Sequence, residues 1–382
     1  MNGTVRVVVV GGGYAGVMAA NRIAGGAAGR IPVEVTLVDP GAQFTERIRL
    51  HRVAAGTRDS AGVDWTTVLH PRVHRLPARA LGIDVDRRLV TLQDGGPMGF
   101  DWLVYAVGSG EPPTALLSVT NAAAAADTRR AISRLAPGAT VTVAGAGPTG
   151  VELACVLAVA RPDLRVTVVA PSGLTHPLAG KDTVARRLRH LGVVVEHGSV
   201  DPATGTVTPA TPGGCSRPAA AATIWTAGLA VPSLAADSGL PVDGGGRLLV
   251  DATLSVSGHE CVLGAGDAVS VAGPAGNHLR ASCAIALPMG AHAADTILAR
   301  LTGTAPSALD AGYLAQCVDL GAGRGNVQLV YADDTPRRWA LSGRPGGWGK
   351  EQVCRMTVAW LSREARRPGS FTWPSGPALP VG

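Results

Sequence analysis

The 382 residues are 46% hydrophobic and 16% charged, enough apolar material for the cores of two or three domains. The net charge of +6 comes almost wholly from arginine, Lys181 and Lys350 being the only lysines. These charges are scattered without interleaved aromatics, so nucleic acid is not an expected partner. The six cysteines (Cys155, Cys215, Cys261, Cys283, Cys317 and Cys354) form no C-x-x-C or other close pair, which argues against a structural zinc site and a redox-active disulfide and for a reducing, cytoplasmic setting.

A glycine motif begins within about ten residues of the start, leaving no room for a signal peptide, and no uninterrupted apolar run reaches transmembrane length. Residues 7–10, four valines in a row, read as a strand buried in a parallel sheet. They run into Gly11, Gly13 and Gly16 of a G-x-G-x-x-G turn. Gly11 allows the tight turn, Gly13 lets the backbone approach a pyrophosphate, and Gly16 lets the next helix pack close to the strand. Tyr14 and Ala15 lend the free N–H groups of that helix start. A second strand, residues 33–38, ends in Asp39, placed to accept hydrogen bonds from both hydroxyls of an adenosine ribose.

Residues 43–52 form a densely positive loop entering a helix, and Arg49 within it is a candidate contact for the same nucleotide. Residues 79–92 alternate apolar and polar and read as a β-hairpin. Residues 100–109 read as a buried strand whose small end, with Gly108, leaves space for a ligand. The alanine-rich residues 121–126 read as a linker, followed by a short helix over 127–135. The opening pattern then returns. Residues 141–152 place Gly145, Gly147 and Gly150 in a second turn with Glu152 in the helix behind it, but the second strand of this unit ends in Ala170 where the first ends in Asp39. The missing carboxylate removes roughly 1.5–3 kcal/mol of ribose binding. NADPH, with Ser172, Lys181, Arg186 or Arg187 receiving the extra phosphate, or no nicotinamide nucleotide at all, is therefore expected ahead of NADH.

Residues 223–228 form another apolar strand with a small end at Gly228, and residues 261–268 deliver Asp267 just after Gly266, an arrangement suited to the ribityl hydroxyls of a flavin. A helix is expected from Pro288 and Met289 to Leu301, its first turn at Pro288 and its dipole available to a reduced ring system. From about Ala305 the chain is less regular. This region holds four of the seven tryptophans (Trp339, Trp348, Trp360 and Trp373) and a basic, partly amphipathic stretch, residues 350–367. A packed cap or homo-oligomer face is preferred there to peripheral contact with a membrane.

In this order the residues resemble the two-dinucleotide-domain flavoproteins of the pyridine nucleotide oxidoreductase superfamily, over about residues 5–300. The branch most similar is that of type II NADH dehydrogenases and apoptosis-inducing-factor-like oxidoreductases. The resemblance implies an α/β fold with two Rossmann-like dinucleotide-binding domains, of the glutathione-reductase-like FAD/NAD(P) kind, plus a C-terminal α+β region. It divides the chain into a discontinuous FAD-binding domain (1–112 and 234–304), an NAD(P)-binding-like domain (113–233) and a C-terminal cap or interface region (305–382). It places FAD on Gly11, Gly13, Gly16 and Asp39, with the Ala80 backbone at the adenine, Gly108 by the flavin, and Gly266 and Asp267 along the ribityl chain and pyrophosphate. Gly145, Gly147, Gly150 and Glu152 would hold the nicotinamide nucleotide, with Gly228 lining its site. Two departures stand out. No close cysteine pair follows the first helix, and no glutamine motif precedes the helix over the flavin, which reads Cys283-Ala284-Ile285-Ala286-Leu287-Pro288-Met289-Gly290.

The expected activity is hydride transfer from NAD(P)H to FAD and on to an unidentified small-molecule acceptor, with Glu152 as the candidate acid or base ahead of His51 and Cys283. Two alternatives stand beside it. One is an FAD-dependent oxidase or dehydrogenase of a small organic substrate, its second nucleotide fold repurposed; the other is a flavin redox sensor or binding protein.

Overall fold

The computed structural model describes residues 3–27, 31–175, 180–211 and 213–378. Among these the helices, in chain order, are α1 (Tyr14–Gly26), α2 (Leu50–Ala54), α3 (Trp65–Val68), α4 (Ala122–Ser133), α5 (Pro148–Ala160), α6 (Lys181–His190), α7 (Leu234–Asp237), α8 (Cys283–Leu301) and α9 (Gly343–Arg366). None of them is long and apolar enough to cross a membrane.

The valine-rich start forms the strand Val5–Val10, buried except at Arg6, in the interior of a six-stranded sheet. Its parallel neighbours are Val33–Val38 on one side and Trp102–Tyr105 on the other. Val73–Leu76 extends the sheet beyond Val33–Val38, and His259–Gly264 extends it beyond Trp102–Tyr105, both again parallel. A continuous apolar run suits such a strand because both faces are covered, here in part by α1 and α8. Those two helices cross closely: a Cβ added at Gly290 of α8 would overlap the carbonyl oxygen of Ala15 in α1.

The second glycine turn belongs to a second six-stranded sheet. Thr140–Ala144 lies between Arg165–Ala170 and Ala222–Trp225, both parallel to it, and Val194–Val200 follows Arg165–Ala170. This sheet and helices α5 and α6 share a separate apolar core. The hairpin expected over residues 79–92 is present as Ala80–Asp84 antiparallel to Leu89–Leu92, with Met98–Gly99 as a third strand.

Three expectations are corrected. The alanine-rich residues 121–126 are the first turns of α4: the Asn121 side chain accepts the Ala124 N–H at 2.8 Å and caps a run of the strongest helix former. Helix α8 begins at Cys283, so Pro288 lies inside it and the free N–H groups of its start lie five residues earlier than expected. The C-terminal region is regular. Ala315–Asp319, Gly325–Val330 and Pro336–Ser342 form an antiparallel sheet, and α9 follows and packs back against that sheet and α1. The outer strand, Pro336–Ser342, is exposed along its whole length.

Candidate active site

The first glycine turn is built so that only glycine fits. Gly11 has φ +106° and a Cβ there would overlap the Ala106 carbonyl oxygen; a Cβ at Gly16 would overlap that of Gly11. Around Gly13, by contrast, a Cβ would meet nothing within 4 Å. The first hydrogen bond of α1 runs from Val17 N–H to Gly13 C=O, so the N–H groups of Tyr14, Ala15 and Gly16 precede the ladder and face the open space at the turn. This cradle has the shape and polarity for a pyrophosphate.

Asp39 stands at its edge. The carboxylate accepts Gly12 N–H at 2.7 Å and Gly41 N–H at 2.8 Å, which fixes it beside the turn. The Asp39 N–H in turn reaches Leu76 C=O, at the strand end from which the chain runs on towards Ala80. Two residues not singled out in the sequence join here. Trp65 donates its indole N–H to Gly41 C=O at 3.1 Å, and the Arg75 guanidinium lies 5.0 Å over the Trp65 ring while donating to the same carbonyl. Nothing local marks either residue; both arrive from elements remote in sequence.

Past the pyrophosphate cradle, Gly108 (φ +65°) and Gly266 (φ +91°) both sit in the left-handed region, and a Cβ at Gly266 would lie 3.3 Å from that of Ala15. Gly266, Asp267 and Met289 share the wall of one cavity of about 250 Å³ with Ile285, Arg247 and Arg280. Burial raises the Asp267 carboxyl, opposed by the nearby positive charge of Arg47; burial likewise lowers Arg47, opposed by Asp267. Arg47 also donates to Ser109 C=O at 3.1 Å and Ser109 Oγ at 2.8 Å, which holds it beside Gly108.

The arginine that lies beside Gly108 and Asp267 is Arg47, not Arg49. The Arg49 guanidinium is taken up by Glu46 at 2.9 Å and by both oxygens of Glu351 at 2.8 and 3.0 Å, the second partner coming from α9. Two positions along a short 3₁₀ turn put the side chains on different sides, and Glu46 together with Glu351 of the C-terminal helix decides which arginine is spoken for.

The second glycine turn repeats the first. Gly145 has φ +114°, a Cβ there would lie 2.9 Å from Ala227 N, and one at Gly150 would overlap the Gly145 carbonyl. Gly147 is open, and Val151 N–H to Gly147 C=O starts the helix ladder. Thr226, missed in the sequence, ties the turn to the next strand by donating to Ala144 C=O at 2.8 Å; Gly228, with φ +70°, follows it. Of the groups named for an extra phosphate, Arg187 is turned away, its Nε donating to Leu320 C=O at 3.0 Å, and Arg186 donates to Thr183 Oγ1 at 3.1 Å.

Glu152 lies in a buried ionic cluster drawn from four segments. Lys350 Nζ of α9 is 2.8 Å from its Oε1, the Asp319 N–H donates to the same oxygen at 2.9 Å, and His51 Nδ1 is 3.7 Å from Oε2. His51 Nε2 and Arg52 Nε both reach Asp319 Oδ2, at 3.3 and 2.6 Å. Burial would raise the Asp319 carboxyl, but the hydrogen bond and charge of His51 and the charge of Arg52 hold it far below the usual range. Burial alone would lower the Lys350 ammonium; its surroundings, Cys317 and Glu152 first, raise it well above its ordinary value. Cys283, the first residue of α8, is pushed up to about 12 by burial, with Lys350 and Asp267 both in electrostatic reach. It is thus a neutral thiol and a poor nucleophile, and the cluster adjoins the Asp267 end of the first site.

Two mostly parallel sheets, each opening through a glycine turn onto a helix start, with a third glycine-aspartate strand end beside the first, define the class: an FAD-dependent oxidoreductase with two nucleotide folds. The chain belongs to the pyridine nucleotide-disulphide oxidoreductase family, whose pattern it matches over residues 5–295. It is 29% identical to the NADH dehydrogenase-like protein Rv1812c of Mycobacterium tuberculosis, over 91% of this chain and 92% of that protein. It is 24% identical to the NADH dehydrogenase-like protein YutJ of Bacillus subtilis, over 70% of this chain and 77% of the other. Among solved structures it is similar in fold to NDH2 from Plasmodium falciparum in complex with NADH (TM-score 0.78, 14% identity, covering 94% and 96% of the two chains). It is also similar to the sulfide:quinone oxidoreductase of Aquifex aeolicus (TM-score 0.77, 19% identity, covering 94% and 92%).

Proposed function

We propose that the chain binds FAD along Gly11, Gly13, Tyr14, Ala15, Gly16, Asp39, Ala80, Gly108, Gly266, Asp267 and Met289, takes hydride from NAD(P)H held at Gly145, Gly147, Gly150 and Gly228, and passes the electrons to a small-molecule acceptor. The observation that carries this reading is the doubled glycine turn, identical in its backbone construction but with an acidic ribose anchor only in the first copy. Bound FAD supplies an acceptor for hydride and a donor for the second half-reaction. The chain's own residues do the positioning. The N–H groups at the start of α1 bind the pyrophosphate, Asp39 accepts from the ribose, and Arg47 and Asp267 flank the segment near Gly108. Glu152 stays the candidate acid or base, and Lys350, 2.8 Å away and holding its proton tightly, positions it rather than donating a proton itself.

Soluble protein loaded with FAD and mixed anaerobically with NADPH or NADH tests this. Fast bleaching of the flavin band is the expected result. Ala170 favours one other reading, in which the second fold no longer serves a nicotinamide nucleotide and the enzyme oxidises or reduces a small organic molecule. Absence of bleaching by either nucleotide selects that reading, and slow bleaching into a long-lived charge-transfer species selects a redox sensor.

A further inference from the structure

The proposed nicotinamide site leaves open which dinucleotide it takes, and the strand beside Ala170 bears on that choice. The two nucleotide units correspond bond for bond at the deciding point. Gly11 N–H reaches Val38 C=O at 2.9 Å in one, and Gly145 N–H reaches Val169 C=O at 2.8 Å in the other. The next residue is Asp39 in the first unit and Ala170 in the second, so a methyl group stands where a carboxylate would repel a phosphate. Directly across from Ala170 on the adjacent parallel strand is His197. Paired strands lie about 4.8 Å apart, and the two side chains share a face of the sheet. The turn after Ala170 folds onto the imidazole: a Cβ at Gly173, which has φ +56°, would lie 2.9 Å from both Cε1 and Nε2 of His197. His197 is exposed, and its acidic neighbour Glu196 is engaged by Arg217. At the start of α6 nearby, Lys181 and Asp182 are both exposed.

We infer that His197 recognises the 2′-phosphate of NADPH and that Ala170 makes room for it. An imidazole N–H donates to a phosphate oxygen at the place where a ribose 2′-hydroxyl, without an acidic acceptor, gains little. The inference rests on the reading that the second unit binds a nicotinamide nucleotide.

The test uses FAD-saturated protein and the isolated adenosine halves, 2′,5′-ADP and 5′-ADP, with affinities from titration calorimetry. The unmodified chain is expected to bind 2′,5′-ADP at least about tenfold more tightly, the effect of one hydrogen bond to a charged group. His197→Ala should bring the two affinities to within about threefold of each other, whereas Ala170→Glu should reverse the preference. Equal binding of both compounds by the unmodified chain, binding of neither, or an unchanged preference in His197→Ala overturns the inference. Anaerobic reduction by NADPH is scored separately. Histidine-dependent binding of 2′,5′-ADP without flavin bleaching would leave the phosphate site standing and remove the hydride-donor reading.

Discussion

Lys350 and Glu152 meet at 2.8 Å with less than a tenth of either side chain exposed, and neither has water to fall back on. Removing one partner of such a pair strands a buried charge at a cost of about 3–5 kcal/mol, whereas replacing both by apolar residues is often neutral. Lys350→Met and Glu152→Leu are each expected to lower the unfolding free energy in urea by that amount, and the double substitution to recover most of it. Single losses that simply add would refute coupling. Glu351 makes a prediction about acid. Its hydrogen bonds to Arg49, then Arg355, lower its carboxyl to about 2 from an ordinary 4.5. A depressed acid stabilises the fold above its unfolded pKa, and the contribution is lost as pH falls from about 4.5 towards 2. Glu351→Gln should flatten stability between pH 5 and about 3 when measured by urea midpoint, and an unaltered slope would count against it.

Among the elements, the meeting of α1 and α8 carries the sharpest contrast, because the glycines there serve different ends. Gly13 is open with an ordinary backbone (φ −77°), so Gly13→Ala should fold as well as the parent while losing at least about tenfold in FAD affinity, the methyl standing where phosphate approaches. Gly290 lies at the α1–α8 crossing, where a Cβ meets the Ala15 carbonyl, so Gly290→Ala should destabilise the chain itself by about 1–3 kcal/mol. Thermal unfolding with and without FAD separates the two outcomes. The glycine turns were legible in the sequence because their steric demand is local: a strand, a positive φ and a helix start lie within ten residues. The choice between Arg47 and Arg49 was not, since it depends on Glu351 in a helix from the far end of the chain. For the same reason Lys350 escaped notice as the partner of Glu152. Asn121, however, was a readable cap that the alanine run obscured, and Pro288 misled because proline is commonest in a first turn but also tolerated further in.

Across the whole molecule the family and architecture follow from the repeated pattern, while the C-terminal sheet lacked any sequence period clear enough to announce it and α9 was legible only as the partly amphipathic stretch 350–367. A cofactor that binds only the folded chain stabilises it by mass action, about 2.7 kcal/mol at one hundred times its dissociation constant. Unfolding midpoints should therefore climb steadily with added FAD, and a midpoint indifferent to FAD would speak against the first site. The ionic cluster at Glu152 carries a mechanical corollary. It pins α2 and α5, which share the second apolar core, to both the sheet and the long helix of the C-terminal region in a single keystone. Lifting the C-terminal region off α2 and α5 would sever it, so that region and the second unit should move as one body. The C-terminal sheet and helix are accordingly fastened to the wall of the second unit when the chain folds.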